Sequence, residues 1–217
     1  MTAWSSTNKN ANITLLNGGL TASVSDNLTT HYAARCDTPI TSGLKRYREQ
    51  TVSSAGWVAN NGNTNGLGIV NSSFTFGNNS FLGSDTNSIG YYNVTGSVFF
   101  NNAVLTTIGS YSTGAVIGEA VDFTAGHVWW TLDGLTFNNA AIGSQNPVGN
   151  VGGIALPSGA SLFAATDVLS IDQLSQNTVN FGATTFTYAA LFATLQAAGY
   201  TAFDSPPVGV PFAQQVM

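Results

Sequence analysis

The acidic side chains that could form a catalytic pair are few in this sequence. The chain has only two glutamates, Glu49 and Glu119, and the carboxylate nearest to Glu119 is Asp122. Glycoside hydrolysis needs two carboxylates that flank the scissile bond. Because residues three apart on a strand point to opposite faces, Glu119 and Asp122 cannot converge on one sugar. The spacing therefore does not indicate a glycosidase.

The sequence also lacks a recognisable motif for nucleophilic catalysis. The two histidines, His31 and His127, lie in no Gly-x-Ser-x-Gly motif, and Cys36 is the single cysteine. One cysteine allows no intrachain disulfide and gives no spacing typical of a zinc site. The chain has no glycine-rich loop of the kinds that bind nucleotide phosphates. We therefore predict that the protein is not an enzyme.

One short segment offers oxygen ligands to a hard cation. Asp85 and Asn87 stand at alternate positions, and calcium binds carboxylate, amide and carbonyl oxygens. The segment lacks the ligand density of a dedicated calcium loop, and carboxylates in exposed turns need no counter-ion. We expect no cofactor and no metal, and keep Asp85 and Asn87 as weak candidates for calcium.

The charge distribution argues against a nucleic-acid partner. All five basic residues lie within the first 48 positions, whereas residues 49–217 contain eight acidic residues and no Lys or Arg. Affinity for nucleic acid comes mainly from cationic contacts with phosphate. The sequence also lacks a signal peptide and an apolar run long enough to span a bilayer. We expect no nucleic acid, no membrane insertion, and synthesis in the cytoplasm of a host cell.

Adjacent tryptophans mark the stretch VDFTAGHVWWTLDG at residues 121–134. In a strand Trp130 shares a face with apolar neighbours, which predicts burial, while Trp129 points to the other face. Trp129 is either buried against a second layer or exposed as a stacking surface. Exposed aromatic rings suit sugars and partner proteins, so we name five candidate ligand-binding residues: Trp57, Tyr91, Tyr92, Tyr111 and Trp129.

Composition and periodicity indicate an all-β domain. Hydrophobic residues make up 43% of the chain and charged residues 7%, and glycine-rich turns separate segments of period-two alternation. A short helix is predicted at residues 189–198, where helix formers precede Gly199. The proline-containing tail from Ser205 follows it. The alternating segments are residues 13–16, 20–24, 68–76, 97–105, 115–123, 127–132, 161–171 and 178–188.

Five motifs resemble the SPRY family. In that family a glycine-bearing strand ending in Asp precedes a strand that closes on an Asn-Gly or Asp-Gly turn. The resemblance covers roughly residues 4–188, with unusual charges at Lys45, Arg46 and Arg48 and at Glu119. The motifs are TSGLKRYRE at 41–49, LGSDTNSIGY at 82–91, TGAVIGEAVD at 113–122, GHVWWTLDG at 126–134 and VNFGATTFTY at 179–188.

The resemblance implies a jelly-roll-like, concanavalin-like sandwich of two antiparallel sheets over residues 1–188. Residues 189–217 would then form a helix and an extended tail, packed on the domain or on a neighbouring subunit. It also implies a binding module rather than a catalyst.

Two functions remain open. The first is a bacteriophage virion protein of a tail, fibre or capsid, which contacts other virion subunits or a glycan or protein of the host surface. The second is an intracellular module that binds a short peptide. The sequence permits a homo-oligomer without specifying one.

Overall fold

Strands dominate the fold. The computed structural model describes residues 1–24, 27–54, 64–141, 143–171 and 174–204. Within these ranges the strands are β1 (Trp4–Lys9), β2 (Thr14–Leu16), β3 (Thr21–Val24), β4 (Asn27–Cys36), β5 (Lys45–Ser54), β6 (Asn65–Asn71), β7 (Ser88–Tyr92), β8 (Ser97–Phe100), β9 (Ala103–Thr107), β10 (Val116–Asp122), β11 (His127–Thr131), β12 (Ile154–Ala155), β13 (Leu162–Ile171), β14 (Ser175–Asn180) and β15 (Thr201–Ala202). A 3-10 turn spans Asn17–Gly19, and the helix α1 spans Ala189–Ala197.

The strands form two sheets. One has seven strands in the order β1-β4-β13-β6-β7-β8-β9, and the other has eight, ordered β12-β11-β10-β5-β14-β3-β2, with β15 beside β5. The pairing of β15 with β5 is parallel, and the other strand pairs are antiparallel. The prediction of an all-β, two-sheet antiparallel sandwich with one short C-terminal helix is confirmed. The tail from Ser205 lies outside the described residues.

Paired asparagines correct one predicted strand. The segment 97–105 is a hairpin of β8 and β9 rather than one strand, since Asn101 and Asn102 adopt φ angles of 51° and 60°. Two consecutive residues with positive φ angles form a turn whose twist matches that of the two antiparallel strands. Asparagine tolerates such angles better than other non-glycine residues.

A buried ion pair of the eight-stranded sheet lies in the space between the sheets. Arg48 of β5 and Glu119 of β10 are direct partners in the ladder, with Nε to Oε1 at 2.6 Å, and both side chains are fully buried. Arg48 Nη2 also donates to the carbonyl oxygens of Gly68 and Ala165 in the opposite sheet, at 3.3 and 2.8 Å. Glu119 Oε2 accepts the indole N–H of Trp130 at 2.9 Å. Two of the four unusual charges of the sequence, Arg48 and Glu119, thus neutralise each other.

Tryptophan 130 lies in the core, as its alternation predicted. Its ring lies 5.5 Å from that of Tyr91, and its indole nitrogen is bound by Glu119. Elsewhere in the same cluster Trp4 packs edge-on against Phe181, with centroids 5.2 Å apart. The large rings span the gap between sheets, which is about 10 Å in sandwiches.

A second hydrophobic cluster lies on the outer face of the eight-stranded sheet. Helix α1 covers it with Leu195, which is fully buried. The helix ends at Ala197, one residue before the predicted end, and Gly199 lies just beyond it with a φ of 89°. This outer cluster consists of Tyr47, Ala120, Trp129, Phe137, Phe186, Leu195, Tyr200 and Ala202.

The turn after β11 is organised by a carboxylate. Asp133 Oδ1 accepts the backbone N–H groups of Leu135 and Thr136, each at 2.8 Å, and Oδ2 accepts the Thr136 hydroxyl at 2.8 Å. Partial burial opposes ionisation, but these hydrogen bonds outweigh it and lower the pKa of Asp133 to about 2. Gly134 has a φ of 69°, so the Asp-Gly turn is confirmed.

Removal of one partner of the buried ion pair should destabilise the fold strongly. In Arg48→Met, Glu119 would be left buried without its cation, so the free energy of unfolding should fall by about 3–5 kcal/mol. The double variant Arg48→Met with Glu119→Gln, which keeps an acceptor for Trp130, should recover about half of the loss. Urea unfolding curves measure both effects. A double variant less stable than Arg48→Met would contradict this account.

Asp133 should make the free energy of unfolding depend on pH in the acid range. Its pKa in the folded protein is below that of an unfolded chain, about 3.9, so its contribution is complete above pH 4 and is lost as the pH falls towards 2. Asp133→Asn should therefore be less stable than the wild type at neutral pH, and the gap should close between about pH 4 and pH 2. Thermal unfolding across this range measures the gap. A gap independent of pH would contradict the assignment.

Candidate functional site

A groove runs between two sheet edges at one side of the sandwich. Strand β9 ends the seven-stranded sheet, and β12 ends the eight-stranded sheet. The space between them measures about 410 Å³. We call it the edge groove, and it is lined by residues 105–108, Asn138, Gln145 and residues 153–155.

Strand β9 gives this groove an open edge. In the described sheet it pairs with β8 on one side only, and its side chains are largely exposed. Val104 and Leu105 have 54% and 53% of their surface accessible. An unpaired strand edge presents backbone N–H and C=O groups that can pair with another strand. Apolar side chains beside such an edge favour the addition of a strand.

The wall opposite β9 is held in place by amide side chains. Asn138 mimics a strand partner of Trp130, because its N–H donates to the Trp130 carbonyl at 2.7 Å and its Oδ1 accepts the Trp130 N–H at 3.0 Å. Gln145 Oε1 accepts from Asn138 Nδ2 and from the Gly153 N–H, both at 2.8 Å. Because these contacts are internal to the protein, the groove is formed before a ligand binds.

Trp129 anchors the same wall from beneath. The structure buries it completely in the outer cluster, and its Nε1 donates to the carbonyl oxygen of Val151 at 3.1 Å. The prediction of an exposed stacking surface was wrong, since helix α1 covers this face of the sheet. The alternative of burial against a second layer is correct.

Tyr91 and Tyr111 lie under the groove. A smaller pocket of about 80 Å³ adjoins it at Ile108, and Tyr91 and Trp130 contribute to its lining. Tyr91 donates its hydroxyl to the Gly109 carbonyl, and Tyr111 donates to the carbonyls of Tyr91 and Asn65, at 3.0 and 3.2 Å. Both rings are buried, so their predicted exposure was wrong. An internal acceptor for the hydroxyl makes such burial favourable.

Tyr92 is buried as well, and Trp57 lies outside the described residues. The Tyr92 hydroxyl donates to Asp167 at 3.0 Å, on the face of β7 opposite to Tyr91. The four candidate aromatics that the structure describes therefore do not form one exposed surface. Their contact with a ligand stays a prediction, and the described rings support the walls of sites rather than present open faces.

The candidate calcium residues Asp85 and Asn87 are engaged with each other. Asp85 accepts the Asn87 N–H at 2.9 Å and its side-chain N–H at 3.0 Å, and it also accepts the Ser88 hydroxyl at 3.1 Å. The Asn87 oxygen accepts from Asn71 at 3.1 Å. These bonds brace a turn and occupy oxygens of both side chains. In the described ranges no three His, Cys, Asp or Glu side chains come together as a metal site.

The candidate nucleophile is inert in this fold. Cys36 is fully buried, and burial raises the pKa of its thiol to about 12. Its Sγ donates to the Thr38 carbonyl at 3.1 Å. His31 bonds to Asp167 instead of Cys36, with Nδ1 to Oδ1 at 2.7 Å.

Comparison with known proteins identifies the fold. No protein family model and no curated protein matches the sequence. The SPRY domain of human HERC1 is similar to it with a TM-score of 0.61 and 12% identity, over 82% of this chain and 96% of that one. A human SPRY domain has a TM-score of 0.57 and 20% identity over 80% and 97%. The PSpry domain of TRIM65 has 0.58 and 12% over 82% and 88%. The chain thus has a fold similar to that of SPRY domains, which the motifs predicted.

Proposed function

We propose that this chain is a non-enzymatic binding module that takes an extended segment of a partner protein into the edge groove. The observation that carries the proposal is the unpaired edge of β9, which stands beside a preformed groove with Val104 and Leu105 exposed. The SPRY fold of the solved neighbours supports the same class of function.

The geometry suits a partner segment that adds a strand to β9. Its backbone would pair with the free edge, and every second side chain would enter the groove. The volume of about 410 Å³ falls within the range of about 300–1,000 Å³ that is typical of ligand sites.

The lining of the groove limits the partner's composition. It contains Leu, Ile and Thr on one side and Asn, Gln, Gly, Ile and Ala on the other, without a charged side chain. A segment with alternating apolar residues and few charges matches it. A basic residue at one end would lie near Asp133, which lines the adjoining pocket.

The setting that we propose is a bacteriophage virion, in a tail, fibre or capsid. A surface of uncharged polar residues supports it, with charged residues at 7% of the chain and basic residues only in the first 48 positions. The partner would then be another virion subunit, a second copy of this chain, or a protein or glycan of the host surface. The tail from Ser205 would dock on the domain or on a neighbouring subunit.

The second candidate is an intracellular module that binds a short peptide, and the edge groove favours it equally. Both candidates need the same site and differ in where the partner resides.

The helix α1 has 9 residues. Among the residues that the structure describes, none of the helices has the length and apolar character of a membrane span.

A charge placed on the β9 edge should weaken peptide binding. We would select ligands from a library of short random peptides and measure affinity by fluorescence anisotropy. Leu105→Asp should weaken the selected peptides at least about tenfold, because a buried carboxylate would lack a partner. The matched control is Leu16→Asp on β2, at the far edge of the other sheet, where 41% of the side chain is exposed.

Backbone pairing gives this experiment a second readout. N-methylation of successive peptide residues should weaken binding at alternate positions, since every second N–H of an edge strand faces its neighbour. Uniform sensitivity along the peptide, or equal losses in Leu105→Asp and Leu16→Asp, would contradict strand addition in the edge groove.

The virion setting predicts that the protein belongs to particles. Particles purified on a density gradient should contain it in a fixed ratio to the major capsid protein, as measured by quantitative mass spectrometry. A host cytoplasmic protein monitored in the same fractions is the control for carry-over. If the chain remains in the cytoplasmic fraction with a peptide-bearing partner, the intracellular alternative is correct.

A further inference from the structure

A second pocket lies on the outer face of the seven-stranded sheet, away from the edge groove. It measures about 180 Å³ and is lined by His31, Asn79, Phe81, Tyr92 and Phe99. We call it the dyad pocket after the pair of His31 and Asp167. His31 comes from β4, Tyr92 from β7 and Phe99 from β8, while the loop between β6 and β7 contributes Asn79 and Phe81.

A buried carboxylate orients the histidine of this pocket. Asp167 is fully buried, and its Oδ1 lies 2.7 Å from His31 Nδ1. Its Oδ2 accepts the Tyr92 hydroxyl at 3.0 Å and the Leu82 N–H at 3.2 Å. Burial raises the pKa of Tyr92 well above its usual value, so the phenol remains the donor. The charge of Asp167 is thus matched by three internal donors.

This arrangement leaves one ring nitrogen of His31 available at the pocket. Because a carboxylate accepts, Nδ1 donates to Asp167, and Nε2 is the nitrogen that can bond to a ligand. His31 is 19% exposed in its side chain, and Nε2 has no hydrogen-bond partner among the described residues. The amide of Asn79 is exposed and is likewise without a partner in the described ranges. Two unused polar groups therefore meet at one small pocket.

Aromatic rings form the rest of the wall. Phe81, Tyr92 and Phe99 lie with ring centroids 5.6–6.3 Å apart and nearly perpendicular planes. The His31 ring lies 5.8 Å from Phe81 and 5.6 Å from Tyr92. An apolar cavity of about 150 Å³ holds one benzene ring. The dyad pocket, at about 180 Å³, therefore has room for one six-membered ring.

The polar groups decide which ring fits. A quaternary ammonium would use the aromatic wall but would leave Nε2 and the Asn79 amide without partners, and Asp167 is already matched. A sugar ring presents apolar C–H groups to aromatic side chains and several hydroxyls to amides and imidazole. No Lys or Arg lines the pocket, so an anionic ligand is not favoured.

We propose that the dyad pocket binds a single neutral pyranose ring of a glycan, with one sugar hydroxyl donating to His31 Nε2. The ring packs against Phe81 and Phe99, and Asn79 bonds to a second hydroxyl. This site is separate from the edge groove and shares no lining residue with it.

The test uses the full chain and a panel of free neutral monosaccharides. Saturation-transfer NMR should detect at least one sugar that binds with a dissociation constant of about 1–10 mM, as expected for a ligand of this size. Titration should shift the ring nitrogen resonance of His31 Nε2 and leave that of His127 unchanged. Phe99→Leu should weaken binding about fivefold, and His31→Gln should weaken it further.

Controls keep the result interpretable. Urea unfolding checks that both variants fold, and Leu105→Asp in the edge groove should bind the sugar as the wild type does. Failure of peptide capture in the groove would leave this result unaffected. Absence of binding across the panel, or binding that neither variant changes, would overturn the proposal. Binding of tetramethylammonium or p-cresol without any sugar would also overturn it.

Discussion

The packing of both sheets depends on the burial of Arg48 against Glu119. A buried pair gains little net free energy, but one partner without the other costs several kcal/mol. Arg48 therefore requires the register that brings Glu119 opposite to it, and Glu119 in turn binds Trp130 on the next strand. One row of side chains thus aligns β5, β10 and β11. The contacts of Arg48 with Gly68 and Ala165 set the opposite sheet against this row.

That alignment determines what the neighbouring residues can do. Since Trp130 points into the core, Trp129 must point outward, where Phe186 and helix α1 cover it. The indole N–H of Trp129 donates to the Val151 carbonyl, while the backbone N–H of Trp130 donates to Asn138. The wall of the edge groove is therefore bound to β11 through the Trp129 side chain and the Trp130 backbone. A rigid wall costs little ordering entropy when a ligand binds, which favours a preformed site.

Local patterns predicted the strands and turns, but the partners of buried polar groups could not be predicted. Alternation and the Asp-Gly turn at Asp133 are properties of neighbouring residues, so an all-β fold and the helix before Gly199 followed from them, whereas the two-sheet sandwich followed from the resemblance to the SPRY family. Arg48 and Glu119 are 71 residues apart, and His31 and Asp167 are 136 apart. Nothing local marks such pairs. Tyr91, Tyr92 and Tyr111 were predicted to be exposed and are buried, because a tyrosine with a buried acceptor looks the same in sequence as an exposed one.

The two proposed sites meet at one strand without sharing a side chain. Tyr91 and Tyr92 are adjacent on β7 and point to opposite faces. Tyr91 packs on Trp130 under the edge groove, whereas Tyr92 bonds to Asp167 behind the dyad pocket. Both tyrosines are fixed by internal hydrogen bonds. Binding at one site should therefore leave the contacts that a ligand makes at the other site unchanged. Coupling between sites needs such a difference. Peptide and sugar should therefore bind independently.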